Sequence, residues 1–145
     1  MTYVFTKISG LPENQIMGSG TILDTARLRY GLSEHFKVAQ GNIHAYVFGE
    51  HGDTSFIPWT GAYISGLSTD EYYEEMKAHG KDVKPLDKEA MLEYVQKSGG
   101  KVIAKKGATF YAVSATVCQL VGLILAASDS LATVSSMLHG EYGSK

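Results

Sequence analysis

The chain has 145 residues, 44% of them apolar and 19% charged, which fits one ordinary globular domain and excludes disordered and collagen-like classes. Its formal net charge is −2, with lysines and arginines scattered along the chain, which argues against a nucleic-acid partner, since such a partner calls for a basic patch or stripe. The single cysteine, Cys118, rules out an intrachain disulfide and points to a reducing, cytoplasmic setting; Met1 to Lys7 lacks the basic flank and apolar core of a signal peptide.

Gly18-Ser19-Gly20 punctuates the chain before a helix expected from about Thr21 to Phe36, with Ile22, Ala26, the stem of Arg27 and Tyr30 at helical spacings. Gly31 weakens that helix a little. Ile43 to Phe48, rich in β-branched and aromatic residues and closed by Gly49, reads as a strand. Gly49 to Asp53 follows as a tight polar loop, and Thr54 to Trp59 as a short second strand stopped by Pro58.

Asp70 to Lys77 has helical character, and Gly80 to Pro85 is a polar linker. From Asp87 the apolar positions Met91, Leu92, Val95, Val102 and Ile103 keep helical phase across Gly99-Gly100, so the helix is expected to run on to Lys106 and stop at Gly107. The missing side chains there leave room for another backbone. Phe110 to Ala127 is the most apolar stretch, but Ser114, Thr116 and Gln119 favour a buried core helix, about Thr109 to Ser128, over a membrane span. Leu131 to Leu138 reads as a closing strand.

His51 is the first candidate for chemistry. It sits in a glycine-flanked loop just past a strand, where a rigid frame can present a side chain to a ligand. Histidine exchanges protons near neutral pH, although a solvated loop histidine is the plainer reading of position alone. Asp24 and Arg27, three residues apart, share one helix face. They form either a surface ion pair or a working pair: the arginine fork grips a carboxylate with two parallel hydrogen bonds, and an aspartate beside a histidine orients the ring and favours its charged form.

Arg29, two residues on, points to another side of the helix, and His44 opens the first strand. Glu50, His51, Asp53 and His44 are all possible metal ligands, but their spacing matches no usual metal signature.

The string Gly18 to Arg29, with Leu23-Asp24-Thr25-Ala26-Arg27 at its centre, and the string Gly49-Glu50-His51-Gly52-Asp53-Thr54 together resemble the L-lactate/malate dehydrogenase family closely. Thr2-Tyr3, Ser9-Gly10-Leu11-Pro12 and Lys106-Gly107-Ala108-Thr109 extend the resemblance over essentially the whole chain, and within the family it is similar to lactate dehydrogenases. The resemblance implies an α+β fold, the C-terminal substrate domain of that family, with antiparallel strands on long helices, as one truncated domain over residues 1–145.

By position, the resemblance implies that His51 protonates the ketone oxygen of pyruvate, that Asp24 is its carboxylate partner, that Arg27 holds the substrate carboxylate and that Thr109 lines the pocket. It implies NAD as cofactor, L-lactate as product and a homo-oligomeric, tetrameric parent enzyme. Arg29 and His44 match the pair that binds fructose 1,6-bisphosphate across a subunit interface in allosteric bacterial members.

The family's G-x-G-x-x-G fingerprint is missing from the sequence, since Gly18-Ser19-Gly20 lacks the third glycine and a preceding strand. The chain is therefore expected to be a fragment: inactive alone, with exposed apolar surface and a tendency to self-associate. A dehydrogenase for a bulkier acid such as 2-hydroxyisocaproate, or a non-catalytic effector-binding and oligomerisation module, are the alternatives.

Overall fold

The computed structural model describes residues 1–127 and 129–143. In chain order the elements are α1 (Thr2–Ile8), α2 (Ile22–Phe36), β1 (Ile43–His44), β2 (Tyr63–Ile64), β3 (Leu67–Ser68), α3 (Thr69–Ala78), α4 (Lys88–Lys106) and α5 (Tyr111–Leu125), joined by loops and short 3-10 turns. The strands form one antiparallel sheet in the order β1-β2-β3, with Ile43 opposite Ile64 and Ile64 opposite Leu67. Antiparallel strands on long helices are thus the architecture, as expected from the resemblance.

Helix α2 is the centre of the molecule. Its inner face is the row Asp24, Leu28, Leu32 and Phe36, spaced by four, with Thr25 beside it. This corrects the expected face: Tyr30 is exposed, and the leucines and Phe36 carry the contact. Leu28, Leu32 and Phe36 pack on Ile43, Ala45, Val47, Ile57, Ala62, Ile64 and Val95, and burying each such side chain stabilises by roughly 1.5–3 kcal/mol. Lys37 ends the helix in a left-handed conformation, φ 55°.

Gly31 stands where α4 crosses α2. A Cβ there would lie 2.7 Å from Sδ of Met91, so the glycine lets the two helices close on each other. Val95 is the fully buried anchor of α4, whose N-terminus is capped by the Asp87 side chain accepting from the Ala90 N–H at 2.9 Å. The helix runs unbroken through Gly99-Gly100 to Gly107, as its apolar phase requires, although Val102 and Ile103 are left exposed.

Four further expectations need correction. The strand Ile43 to Phe48 is paired in the sheet only at Ile43 and His44; beyond them the chain keeps the alternation, burying Ala45 and Val47, and meets Phe56 in one bridge from Phe48. Thr54 to Trp59 contributes that bridge and no strand. Leu131 to Leu138 likewise forms no strand: it makes one bridge, Gly18 to Ser135, while Thr133 accepts from the Thr21 N–H at 3.0 Å and lies 3.1 Å from the Thr25 hydroxyl.

The strands that do form, β2 and β3, turn through Ser65 (φ 50°) and Gly66 (φ 90°), the double positive φ of a tight hairpin. Helix α3 then begins on a capping box, in which Ser68 and Glu71 exchange hydrogen bonds.

Helix α5 is the fourth correction. It forms where expected, with Ser128 lying outside the described residues, but it is not buried. Within it only Thr116 is buried, whereas Val117, Val121, Ile124 and Leu125 are exposed. The helix is apolar nearly all round, and among the described residues α2 is the helix it packs on, so most of its circumference is exposed. Tyr3, Val4, Phe5 and Ile8 on α1 are exposed as well. Among the described residues no helix is long and apolar enough to cross a membrane.

Candidate active site

The first turn of α2 and the chain after Val47 are laced together by hydroxyls. Thr21 donates its Oγ1–H to the Val47 carbonyl at 2.5 Å, and the Val47 N–H donates to Oγ1 of Thr25 at 3.0 Å. Oγ1 of Thr25 also lies 3.1 Å from Oγ1 of Thr133. These groups are buried, so each bond satisfies a donor or acceptor that would otherwise cost about 1–3 kcal/mol. They fix the level at which the chain leaves the core, and with it the loop that follows.

That loop turns at Gly49, whose φ is 88° and where a Cβ would come 3.1 Å from the Thr54 carbonyl oxygen. The Thr54 hydroxyl closes it by donating to Glu50 Oε2 at 2.7 Å, and the Ser55 N–H donates to the Gly52 carbonyl at 3.3 Å. The result presents His51 over the N-terminal half of α2.

Asp24 is the hub. Its side chain is 5% exposed, and its two oxygens are divided between two cations or potential cations. Oδ1 accepts from Arg27 Nη1 at 3.0 Å, and Oδ2 lies 2.5 Å from Nδ1 of His51. Arg27 is 16% exposed and His51 60% exposed, so burial falls on the carboxylate while the ring remains open to solvent. Nδ1 being held by Asp24, Nε2 is the nitrogen left to exchange a proton with a ligand.

The other candidates fall elsewhere. Thr109 sits in the connector between α4 and α5, exposed, and no hydrogen bond ties it to this cluster. Arg29 turns away from Arg27, as its phase requires: its Nε donates to the Ala45 carbonyl at 3.1 Å, and its guanidinium lies 4.8 Å from the centre of the Tyr46 ring. Arg29 and His44 both line a separate open cleft of about 600 Å³ with Gln40, Gln119, Asp129 and Thr133. Among the described residues no three His, Cys, Asp or Glu side chains gather as a metal site would need.

Two contributions were not legible in the sequence. Gly99 does face a neighbour, but it is the Arg27 guanidinium rather than a backbone: a Cβ there would be 3.5 Å from Nη2 and 3.7 Å from Nη1. Gln96, one turn earlier on α4, reaches the end of the His51 loop. No motif marks either residue. Both are found only once α4 is laid against α2.

A buried carboxylate joining an open histidine to a shielded arginine can hold a carboxylate-bearing ligand and move a proton at it. Against that geometry, the family model described as lactate/malate dehydrogenase, alpha/beta C-terminal domain, matches residues 21–145, and the chain belongs to this family.

It is 45% identical over 143 residues to an L-lactate dehydrogenase of Acetivibrio thermocellus, covering 99% of this chain and 44% of that protein. It is 44% identical to L-lactate dehydrogenase 1 of Clostridium acetobutylicum, covering 100% of this chain and 45% of that protein. Among solved structures, a lactate dehydrogenase from a Medee basin deep-sea metagenome library superposes with TM-score 0.90 at 30% identity, over 99% of this chain and 45% of that one. An L-lactate dehydrogenase from Clostridium thermocellum superposes with TM-score 0.83 at 36% identity, over 98% of this chain and 44% of that one. The chain thus spans less than half the length of the relatives it matches.

The turn Gly18-Ser19-Gly20 does not fit a dinucleotide. A Cβ on Gly20 would lie 2.6 Å from the Thr133 carbonyl oxygen, and one on Gly18 would lie 3.3 Å from Ser135 Cβ. These glycines face protein rather than a phosphate, and they serve the bridge to Ser135.

Proposed function

We propose that these residues are the substrate-binding and proton-transfer half of an NAD-dependent L-lactate dehydrogenase. The observation that carries the reading is the single buried carboxylate of Asp24 shared by His51 and Arg27. A 2-oxo acid becomes a 2-hydroxy acid by gaining a hydride at carbon and a proton at oxygen. In this reading His51 gives the proton from Nε2 to the ketone oxygen of pyruvate, and takes it back when L-lactate is oxidised. Asp24 holds Nδ1 and so orients the ring, leaving Nε2 as the nitrogen that meets the substrate. Arg27 grips the substrate carboxylate, and this fixes which carbon lies beside the histidine.

The Gly18-Ser19-Gly20 turn does not fit NAD, and we assign the binding of NAD to sequence outside the chain; the 145 residues alone are then inactive. Thr109 would border the substrate in the assembled enzyme. Arg29 and His44 would form an anion site for fructose 1,6-bisphosphate at the interface of a homo-oligomer, a reading supported by their sharing one cleft.

The test is NADH oxidation by the full-length enzyme with pyruvate and with the 2-oxo acid of 2-hydroxyisocaproate. Turnover confined to pyruvate supports the lactate reading, faster turnover of the bulkier acid replaces it, and no turnover of either removes it. In the same assay, pyruvate affinity that does not respond to fructose 1,6-bisphosphate would remove the effector site.

A further inference from the structure

The His51 loop is held at two ends by different helices. Its entry is fixed through Val47 by Thr25 of α2 and by Thr21, the residue that caps that helix. Its exit is held by one side chain of α4: Gln96 Nε2 lies 3.1 Å from the Asp53 carbonyl oxygen, 3.2 Å from the Ser55 carbonyl oxygen and 3.3 Å from Ser55 Oγ. Two of these partners are carbonyls, which only accept, so the amide must present its NH2 to them and its orientation is fixed by the contact. Gln96 follows the fully buried Val95, which ties this turn of α4 to the core and gives the amide a rigid base.

Gly99 lies one turn further on the same helix and flanks the Arg27 guanidinium. One face of α4 therefore touches both working parts of the site: the loop that carries His51 and the fork that would hold the substrate. His51 is 60% exposed and has Asp24 as its ring partner, so its loop and that one contact together determine where the ring stands.

We propose that Gln96 is a positioning residue for proton transfer, which keeps His51 at the correct height over the carboxylate held by Arg27. This rests on the proton-transfer role given to His51 above. A loop displaced by about 1 Å can cost on the order of a hundredfold in rate, while the carboxylate grip on α2 is left in place. Loss of Gln96 therefore acts on turnover rather than on substrate affinity.

The experiment uses the full-length enzyme with pyruvate and NADH, comparing Gln96→Leu, Gln96→Asn and Gln96→Lys with His51→Gln. Leucine removes the donor, asparagine is too short to reach the carbonyls and leaves a polar helix surface, and lysine restores a donor. Gln96→Leu and Gln96→Asn are expected to lower kcat about tenfold or more with KM changed less than about twofold, and Gln96→Lys to recover most of the loss. If Gln96→Leu does not fold, Gln96→Asn carries the comparison. Unchanged kcat in the asparagine variant, equal changes in kcat and KM, or a lysine variant as slow as the others would overturn the inference. Full turnover by His51→Gln would instead overturn the underlying assignment of the proton donor.

Discussion

Oδ2 of Asp24 lies 2.5 Å from Nδ1 of His51 while Oδ1 of the same carboxylate accepts from Arg27 at 3.0 Å. One buried group therefore sets the tautomer of the ring and the pose of the guanidinium together. Asp24→Asn keeps the shape and removes the charge. It is expected to lower kcat/KM of the full-length enzyme by about a hundredfold or more, with both kcat and KM affected because both partners lose their anchor. Steady-state kinetics on pyruvate check this, and a change in kcat alone would show that the link to Arg27 has no function.

Arg27→Lys separates charge from geometry. A lysine keeps the positive charge but offers no planar fork, and charged hydrogen bonds are worth about 1.5–3 kcal/mol. The expected result is a loss of roughly ten- to a hundredfold in kcat/KM for pyruvate, carried mainly by KM. Kinetics within about twofold of the parent would mean that the fork does not bind the carboxylate.

Much of this site could be read directly because its residues come in two compact strings. Asp24 and Arg27 are three apart on a segment that reads as a helix, and His51 lies between glycines that mark a turn. Their pairing bridges 27 residues, and residue types and spacing alone did not choose between a solvated ion pair and a working one. The resemblance to a family supplied that choice.

What stayed hidden depends on packing between distant segments. The inner face of α2 was misjudged because a buried aspartate and a buried threonine break its apolar pattern, although Leu28, Leu32 and Phe36 are regularly spaced. The β2–β3 hairpin was missed because its strands have two residues each, too short for any alternation, and the Ser65-Gly66 turn was its only signal. Gln96 looks like any polar helix residue until the loop it holds lies beside it.

Gly20→Ala tests whether the Gly18-Ser19-Gly20 turn serves packing. Gly20 has φ 50°, and a Cβ would meet the Thr133 carbonyl oxygen at 2.6 Å, so backbone would have to move. The variant is expected to lose about 2 kcal/mol or more of stability by denaturant unfolding. A variant of unchanged stability with weakened NADH affinity would instead mark the turn as a cofactor loop.

The capping box of α3 gives a pH prediction of definite sign. The hydroxyl and N–H of Ser68, both donating to Glu71, hold its carboxyl below the ordinary glutamate value of 4.5. A depressed carboxylate pKa adds stability that is present above the ordinary value and is lost as pH falls through the folded one. In Ser68→Ala, an NMR titration of Glu71 is expected to show its pKa moved up toward 4.5. An unmoved titration would mean that the hydroxyl is not the cause.

The apolar faces of α1 and α5 predict the behaviour of the 145-residue chain by itself. Phe5, Ile8, Val117, Val121, Ile124 and Leu125 are all exposed, and contiguous apolar surface of this kind drives association. Size-exclusion chromatography with light scattering is expected to show a mass that rises with concentration. A monomer at high concentration would contradict this. Leu125→Lys together with Val121→Glu is expected to reduce the association without disturbing the Asp24 cluster.

The most direct measurement is kcat for pyruvate reduction by the full-length enzyme carrying His51→Gln. Glutamine keeps a polar side chain of similar reach, and the 60% exposed ring makes little packing contribution to lose. If Nε2 of His51 delivers the proton, kcat falls by roughly a hundred- to ten-thousandfold while the fold and the binding of a carboxylate inhibitor such as oxamate persist. Turnover within about twofold of the parent enzyme would contradict the assignment of His51, and with it the role given to Asp24.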